Sequence, residues 1–187
     1  ETFFNPCGVL LRAITDDDRD RQEKILAARL LPEDFALAQG GGLFFPQAGV
    51  IDPAEFCRAL AQGAPLITRA AISISSDDDA VSISLDGGES LRFDSAIIAN
   101  GREALRFVGA RSLPFYSVLG QIDIFPEAPA PAHASVFGQY AAPAPGGGVA
   151  IGATYERVDP AASPSASRQS TIENIDAVSS ALPDLAA

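Results

Sequence analysis

The chain has 187 residues, 47% of them hydrophobic and 20% charged, enough for one full core or two small ones. With 24 acidic against 13 basic residues the net charge is −11, so any contact with a phosphate backbone needs a local basic patch or another domain. Two distant cysteines, Cys7 and Cys57, and one histidine, His133, speak against a zinc site, and no apolar run is long enough to cross a bilayer.

No basic, apolar leader opens the chain, and a reduced cytoplasmic setting is the simplest expectation. The abrupt start at Glu1-Thr-Phe-Phe-Asn-Pro and the lack of any methionine read as a fragment of something longer.

Gly8 to Ile14 is a nearly continuous apolar run and predicts a buried strand. Thr15 followed by Asp16, Asp17 and Asp18 predicts a capped helix, running through Gln22, Ile25, Leu26 and Arg29 and stopping before Pro32. After Gly40-Gly41-Gly42, a strand begins at Leu43-Phe44-Phe45, bends at Pro46 to Gly49 and resumes at Val50-Ile51. Asp52-Pro53 starts a second helix, with Phe56, Cys57 and Leu60 as its expected inward stripe, so Cys57 reads as core packing.

Leu66-Ile67 predicts a short strand. Ile72 and Ile74, then Val81, Ile83 and Leu85, then Leu91 and Phe93 alternate with polar residues across turns at Asp77-Asp78-Asp79 and Asp86-Gly87-Gly88. This is an antiparallel meander. It leads into Ser95 to Gly101, an apolar run expected to be a strand buried on both faces in a parallel sheet. Further strands are expected over Phe115 to Phe125, Ala134 to Tyr140 and Val149 to Tyr155, then a polar loop from Asp159 to Ser170 and a helix over Thr171 to Leu182.

Self-contained catalytic motifs are scarce. G-x-S-x-G, H-E-x-x-H, the Walker loop and the G-x-G-x-x-G dinucleotide fingerprint are all absent, and Gly146-Gly147-Gly148 fails that last spacing. His133 lies among proline-rich loop residues and reads as solvated rather than as a general base.

Three segments in order alter this picture. They are Gly42 to Pro53 with the Phe56 to Leu60 helix; the meander closing in Ala99-Asn100-Gly101; and Leu113-Pro114, Gly120-Gln121, Gly138 to Tyr140 and Ile151 to Arg157. Together they resemble the D-amino-acid oxidase and glycine oxidase superfamily. Within it, the Cys7 to Leu10 opening and Glu173-Asn174-Ile175 are similar to the oxidase half of the bifunctional enzymes that make 5-methylaminomethyl-2-thiouridine in tRNA.

The resemblance implies an α+β fold in which a large mixed, mainly antiparallel sheet with flanking helices forms a substrate domain. A β-meander and a parallel strand would belong to a Rossmann-like FAD domain. Residues 1–62 and 102–187 would be substrate domain, and 63–101 the FAD-domain insertion. The implied cofactor is FAD, bordered by Ala71 and by Ala99, Asn100 and Gly101, small residues that let a dinucleotide approach the backbone. An ordinary strand-end turn is the plainer reading of that trio. Gln121 and Tyr155 are the substrate-binding candidates, with a strand-edge amide and a half-buried strand tyrosine as their plain alternatives.

The implied reaction is oxidation of a secondary amine: hydride passes to the flavin, the imine hydrolyses, and the carboxymethyl arm of a tRNA wobble uridine leaves as glyoxylate. No catalytic base is required, because the neutral amine donates hydride. tRNA and an upstream methyltransferase domain are the implied partners, with no metal and no membrane. Departures from the family pattern are the missing fingerprint, Leu119 where arginine is usual, and the missing carboxy-terminal segment with its carboxylate-binding arginine. The isolated chain is therefore expected to bind FAD weakly or not at all. Rival readings are a glycine- or sarcosine-type oxidase of a free small amine, and a non-catalytic binding domain on the same fold.

Overall fold

A computed structural model describes residues 3–29, 32, 34–107, 116–159 and 163–183. In chain order the first elements are β1 (Phe4–Asn5), β2 (Val9–Arg12), α1 (Asp16–Ala27), β3 (Leu37–Gln39), β4 (Gly42–Phe45), β5 (Val50–Ile51) and α2 (Pro53–Leu60). Then come β6 (Ala71–Ser76), β7 (Val81–Leu85), β8 (Ser90–Phe93) and a 3-10 turn at Gly101–Arg106. The rest are β9 (Ser117–Leu119), β10 (Ile122–Phe125), β11 (Ala134–Val136), β12 (Tyr140–Pro143), β13 (Val149–Gly152), β14 (Glu156–Val158) and α3 (Arg168–Ala181). Contacts divide the chain into one unit of Glu1–Gln62, Leu119–Glu156 and Ser163–Ala187, and another of Gly63–Val118 with Arg157–Ala162.

The first unit is built on a seven-stranded sheet in the order β10-β13-β12-β11-β2-β4-β3. Its pairings are antiparallel except β11 with β2, so the sheet is mixed, as the α+β expectation required. α3 lies across β10 and β13, and its Val178 joins Ala141, Val149 and Ile151 in a buried cluster with Phe125, Phe137 and Leu182 packed around it. Gly148 closes the β12–β13 hairpin at φ 81°, where an added Cβ would collide with the Phe125 carbonyl oxygen. Gly148→Ala should therefore cost about 2 kcal/mol in urea unfolding, from backbone strain and the collision together.

Both predicted helix starts form. Thr15 Oγ1 accepts from Asp18 N (3.1 Å) while Asp18 Oδ2 accepts from Thr15 N (3.0 Å), a reciprocal cap at the positive end of the helix dipole. α1 stops at Ala27, short of the expected Arg29, which takes a left-handed φ of 49°. Asp52 Oδ1 caps α2, accepting from Ala54 N (2.9 Å) and Glu55 N (3.1 Å), with Pro53 in the first turn.

The inward stripe of α2 is a correction. Phe56 meets Phe3 at a tilt with ring centroids 5.2 Å apart, but Cys57 is exposed and Leu60 is 72% exposed. The helix has an apolar side, yet among the described residues little packs against it beyond that one ring.

The second unit holds the meander, β6-β7-β8, as its own antiparallel sheet. Ile74, Ile83 and Leu91 stand directly opposite one another across it. Ile72 does not join them: the register shifts between Ala71 and Ser73, and this bulge leaves Ile72 56% exposed. Arg69 ties the base of the sheet to Asp86 (3.0 Å) and Glu89 (2.7 Å). The expected strands at Leu66-Ile67 and Ser95 to Gly101 are corrected too. Neither forms, and Leu66 and Ile97 are 83% and 94% exposed. An apolar run becomes a strand only when a neighbour pairs its N–H and C=O groups, and no described residues do so here.

Each of the three long strands expected in the last third is interrupted. Phe115 lies outside the described residues; the strand after it divides at Gly120-Gln121 into β9 and β10. The next divides around Gly138 (φ 93°), and the third at Ala153 to Tyr155 before β14, which pairs with β9. No helix among the described residues is long and apolar enough to cross a membrane.

Candidate functional site

The interruptions at residues 120–121 and 153–155 have a common cause in a polar clamp between the sheet and α3. Ser167 caps α3 by accepting from Ser170 N (3.3 Å). The Gln121 side chain joins this cap from both ends: its Oε1 accepts from Ser167 N (2.7 Å), and its Nε2 donates toward Thr171 Oγ1 (2.8 Å) and Ser167 O (3.1 Å). Asn174, fully buried, donates from Nδ2 to Gln121 O (3.0 Å) and to Asp123 Oδ2 (2.8 Å), while its Oδ1 accepts from Gln139 Nε2 (3.0 Å). Thr171 Oγ1 completes the set by donating to Asp123 Oδ1 (2.7 Å). The start of β10 and the residue before β12 are thereby locked to one helix, and Gln139 reaches on to Ala153 O after β13 (3.4 Å).

Asp123 is the one charge in this clamp. Burial opposes its ionisation, but hydrogen bonds from Asn174, Thr171 and Gln121 together outweigh that and hold its carboxyl below the ordinary 3.8. A carboxyl with a lowered folded-state pKa contributes stability that is present above its unfolded value. That contribution is lost as pH falls through the folded one. Acid unfolding followed by circular dichroism should therefore lose this contribution below about pH 4, and Asp123→Asn should flatten the pH dependence in that window.

Alternation places the opposite sheet face in view. Tyr140 is paired with Gly152 and Gly152 with Ile122, while Ala142 is paired with Ala150 and Ala150 with Ile124. These residues share the face away from α3. Ile122 and Ile124 are 53% and 57% exposed there. Gly152 leaves a notch in the row between Tyr140 and Ile122, and a Cβ at that position would come 3.3 Å from Ile122 Cγ1. Burial, and secondarily the neighbouring Tyr155, push the Tyr140 phenol above its ordinary value, so it stays a neutral hydrogen-bond donor at pH 7. This apolar strip with two phenols can seat a flat or aliphatic group and hold a polar atom at its edge.

The sequence-predicted residues divide between the two units. Gln121 and Tyr155 belong to the first. They flank Gly120, whose Cβ position lies 4.0 Å from Tyr155 Cε1. Tyr155 is 75% exposed, whereas the Gln121 amide is engaged by α3. Ala71, Ala99, Asn100 and Gly101 belong to the second. Ala71 is half-buried opposite Leu85; Ala99, Asn100 and Gly101 are exposed. Gly101 has φ 61°, and no described atom lies within 4 Å of where its Cβ would stand. Asp123 and Gln139 are not among the residues the sequence singles out, and Asn174 stands out there only through the resemblance to the tRNA-modifying subfamily. A legible signal was an aspartate in the middle of the apolar Ile122–Phe125 strand.

No group of His, Cys, Asp and Glu able to hold a metal occurs among the described residues. His133 corrects the solvated-loop expectation. It is half-buried with its ring edge-on to Phe44 at 5.6 Å, beside a cavity.

Comparison with known proteins is extensive. The chain is 32% identical over 176 residues to the tRNA 5-methylaminomethyl-2-thiouridine biosynthesis bifunctional protein MnmC of Chromohalobacter salexigens, covering 83% of this chain and 25% of that protein. It is 34% identical over 160 residues to the protein of the same name from Paraburkholderia xenovorans, covering 78% and 23%. The chain thus spans about a quarter of the length of these curated relatives. Among solved structures, glycine oxidase from Bacillus cereus superposes with a TM-score of 0.78 at 15% identity, over 98% of this chain and 58% of that one. Glycine oxidase from Geobacillus kaustophilus gives 0.74 at 22%, over 98% and 56%. These structures show the fold: the large sheet with few helices is that of the glycine oxidases. The family described as FAD dependent oxidoreductase (DAO) matches residues 3–187, and the chain belongs to that family.

Proposed function

We propose that the full-length protein is a flavin-dependent oxidase of a secondary amine, and that its substrate is the carboxymethylaminomethyl arm of a wobble uridine in tRNA. The observation that carries this reading is the likeness to relatives named for 5-methylaminomethyl-2-thiouridine biosynthesis, at 32% and 34% identity over most of this chain. The open sheet face of the first unit supports it. Ile122 and Ile124 would keep water from the reacting C–H bond, and the phenols of Tyr140 and Tyr155 would donate to the carboxylate of the arm. Gln121 would contribute by holding the start of β10 against α3. FAD, when bound, supplies the hydride acceptor. Ala71, Ala99, Asn100 and Gly101 would border it, with residues 63–101 contributing to the flavin domain.

In that setting the exposed runs around Leu66 and Ile97 become interior strands, paired by neighbours supplied elsewhere in the full-length protein. An upstream methyltransferase domain and tRNA are the proposed partners, and the cytoplasm, where tRNA is modified, the proposed location. Hydrogen peroxide release by the full-length protein tests the reading. Turnover with carboxymethylaminomethyl-containing tRNA should exceed that with glycine or sarcosine at least 100-fold in kcat/KM, which corresponds to about 2.7 kcal/mol of transition-state discrimination. The reverse preference would make the protein an oxidase of free amines. No peroxide from either, in a protein that holds FAD, would favour a binding role.

A further inference from the structure

The face of the large sheet that carries α3 has a second feature that the oxidase reading does not use. Beside the carboxy-terminal end of α3 lies a cavity of about 400 Å³. Its floor comes from neighbouring strands. Leu10 is paired with Ser135 and Ser135 with Ala141, so all three point the same way, and Arg12 follows Leu10 on that face. His133 and Leu182 close two of its sides.

The chemistry of this lining is unusual for the chain. The protein carries 24 acidic residues against 13 basic ones, yet among the described residues no carboxylate lines the cavity, while a guanidinium and an imidazole do. Arg12 has no ion pair or hydrogen bond with any described residue, in contrast to Arg19, Arg69 and Arg92, which all pair with carboxylates. The Ser135 hydroxyl, on a residue only 5% exposed, also has no partner among the described residues. Leu10, Ala141 and Leu182 make the rest of the wall apolar. The volume falls in the range of sites for small organic molecules.

We propose that this cavity is a binding site for a small organic carboxylate with a short apolar body. The Arg12 guanidinium would grip the carboxylate through its planar fork, Ser135 would add a hydroxyl donor, and the apolar body would lie on Leu10 and Leu182. The site lies on the face opposite Tyr140 and Ile122, so it is independent of the proposed oxidase chemistry and stands or falls separately.

Isothermal titration of the full-length protein with 3-phenylpropionate tests it, alongside 3-phenylpropanol and inorganic phosphate. The expected result is saturable binding of the carboxylate with a Kd of about 1 mM, the affinity ordinary for a ligand of this size. It should weaken at least tenfold in Arg12→Met, the loss expected for one charge-assisted contact, and only partly in Arg12→Lys. Ser135→Ala, which leaves Arg12 in place, should weaken it about threefold and serves if Arg12→Met fails to fold. Binding of the alcohol as tightly as the acid would overturn the anion site, and phosphate binding as tightly would overturn its apolar half. Absence of saturable binding, unchanged affinity in the variants, or a segment of polypeptide seated in the cavity would each overturn the proposal outright.

Discussion

Replacing Asn174 by leucine should destabilise the protein by about 4 kcal/mol, although the two side chains are close in size. Asn174 is wholly buried and has all of its hydrogen bonds inside the protein. Leucine would strip a donor from the Asp123 carboxylate, another from the Gln121 carbonyl, and the acceptor facing Gln139 Nε2. Gln139 is poorly placed to absorb the loss, since its buried Oε1 already has no partner among the described residues and its other contact, to Ala153 O, is 3.4 Å long. Leaving a carboxylate short of donors in a half-buried site is the dearest of these changes. Urea unfolding with an unchanged slope would measure the loss. Glu173→Ala, one residue away on the exposed side of α3 and bonded among the described residues to Gln169 alone (3.0 Å), should cost under about 0.5 kcal/mol. Equal effects of the two substitutions would remove the clamp from its central place.

FAD titrated into the isolated 187-residue chain should bind at least 100-fold more weakly than to the full-length protein. A dinucleotide's pyrophosphate is held by the N–H groups of a glycine-rich turn and by the positive end of the helix that follows it. This sequence has no G-x-G-x-x-G, and its two best-capped helices begin with Asp16-Asp17-Asp18 and with Asp52, carboxylates that would repel a phosphate. The turn at Ala99 to Gly101 in the second unit is exposed and built of small residues, and it carries no cation to neutralise two phosphates. Flavin fluorescence quenching gives the readout. Submicromolar affinity, or a yellow protein on purification, would mean that another part of this chain grips the cofactor.

Local chemistry was legible without coordinates. Thr15 with Asp18, and Asp52 with Pro53, act within three residues of one another, so the helix starts could be read from the spacing of capping groups alone. The same holds for the meander, whose alternation and aspartate-glycine turns are short-range signals, and for α3, predicted from Thr171 and found to begin at Arg168. The family and its sheet were legible through the order of several weak motifs, because the separations between them reflect the fold.

Tertiary structure decided what depends on partners distant in sequence. Asn174 lies 51 residues from Asp123, and only the packing of α3 on β10 makes them a pair. That clamp also explains why strands that read as continuous stop at Gln121 and Ala153: side-chain bonds take over where the ladder ends. The apolar runs at Leu66-Ile67 and Ser95 to Gly101, and the bare side of α2, show the converse. Their hydrophobicity states that something must cover them, but burial is a property of a residue and its neighbours together. No pattern within the run can name the neighbour.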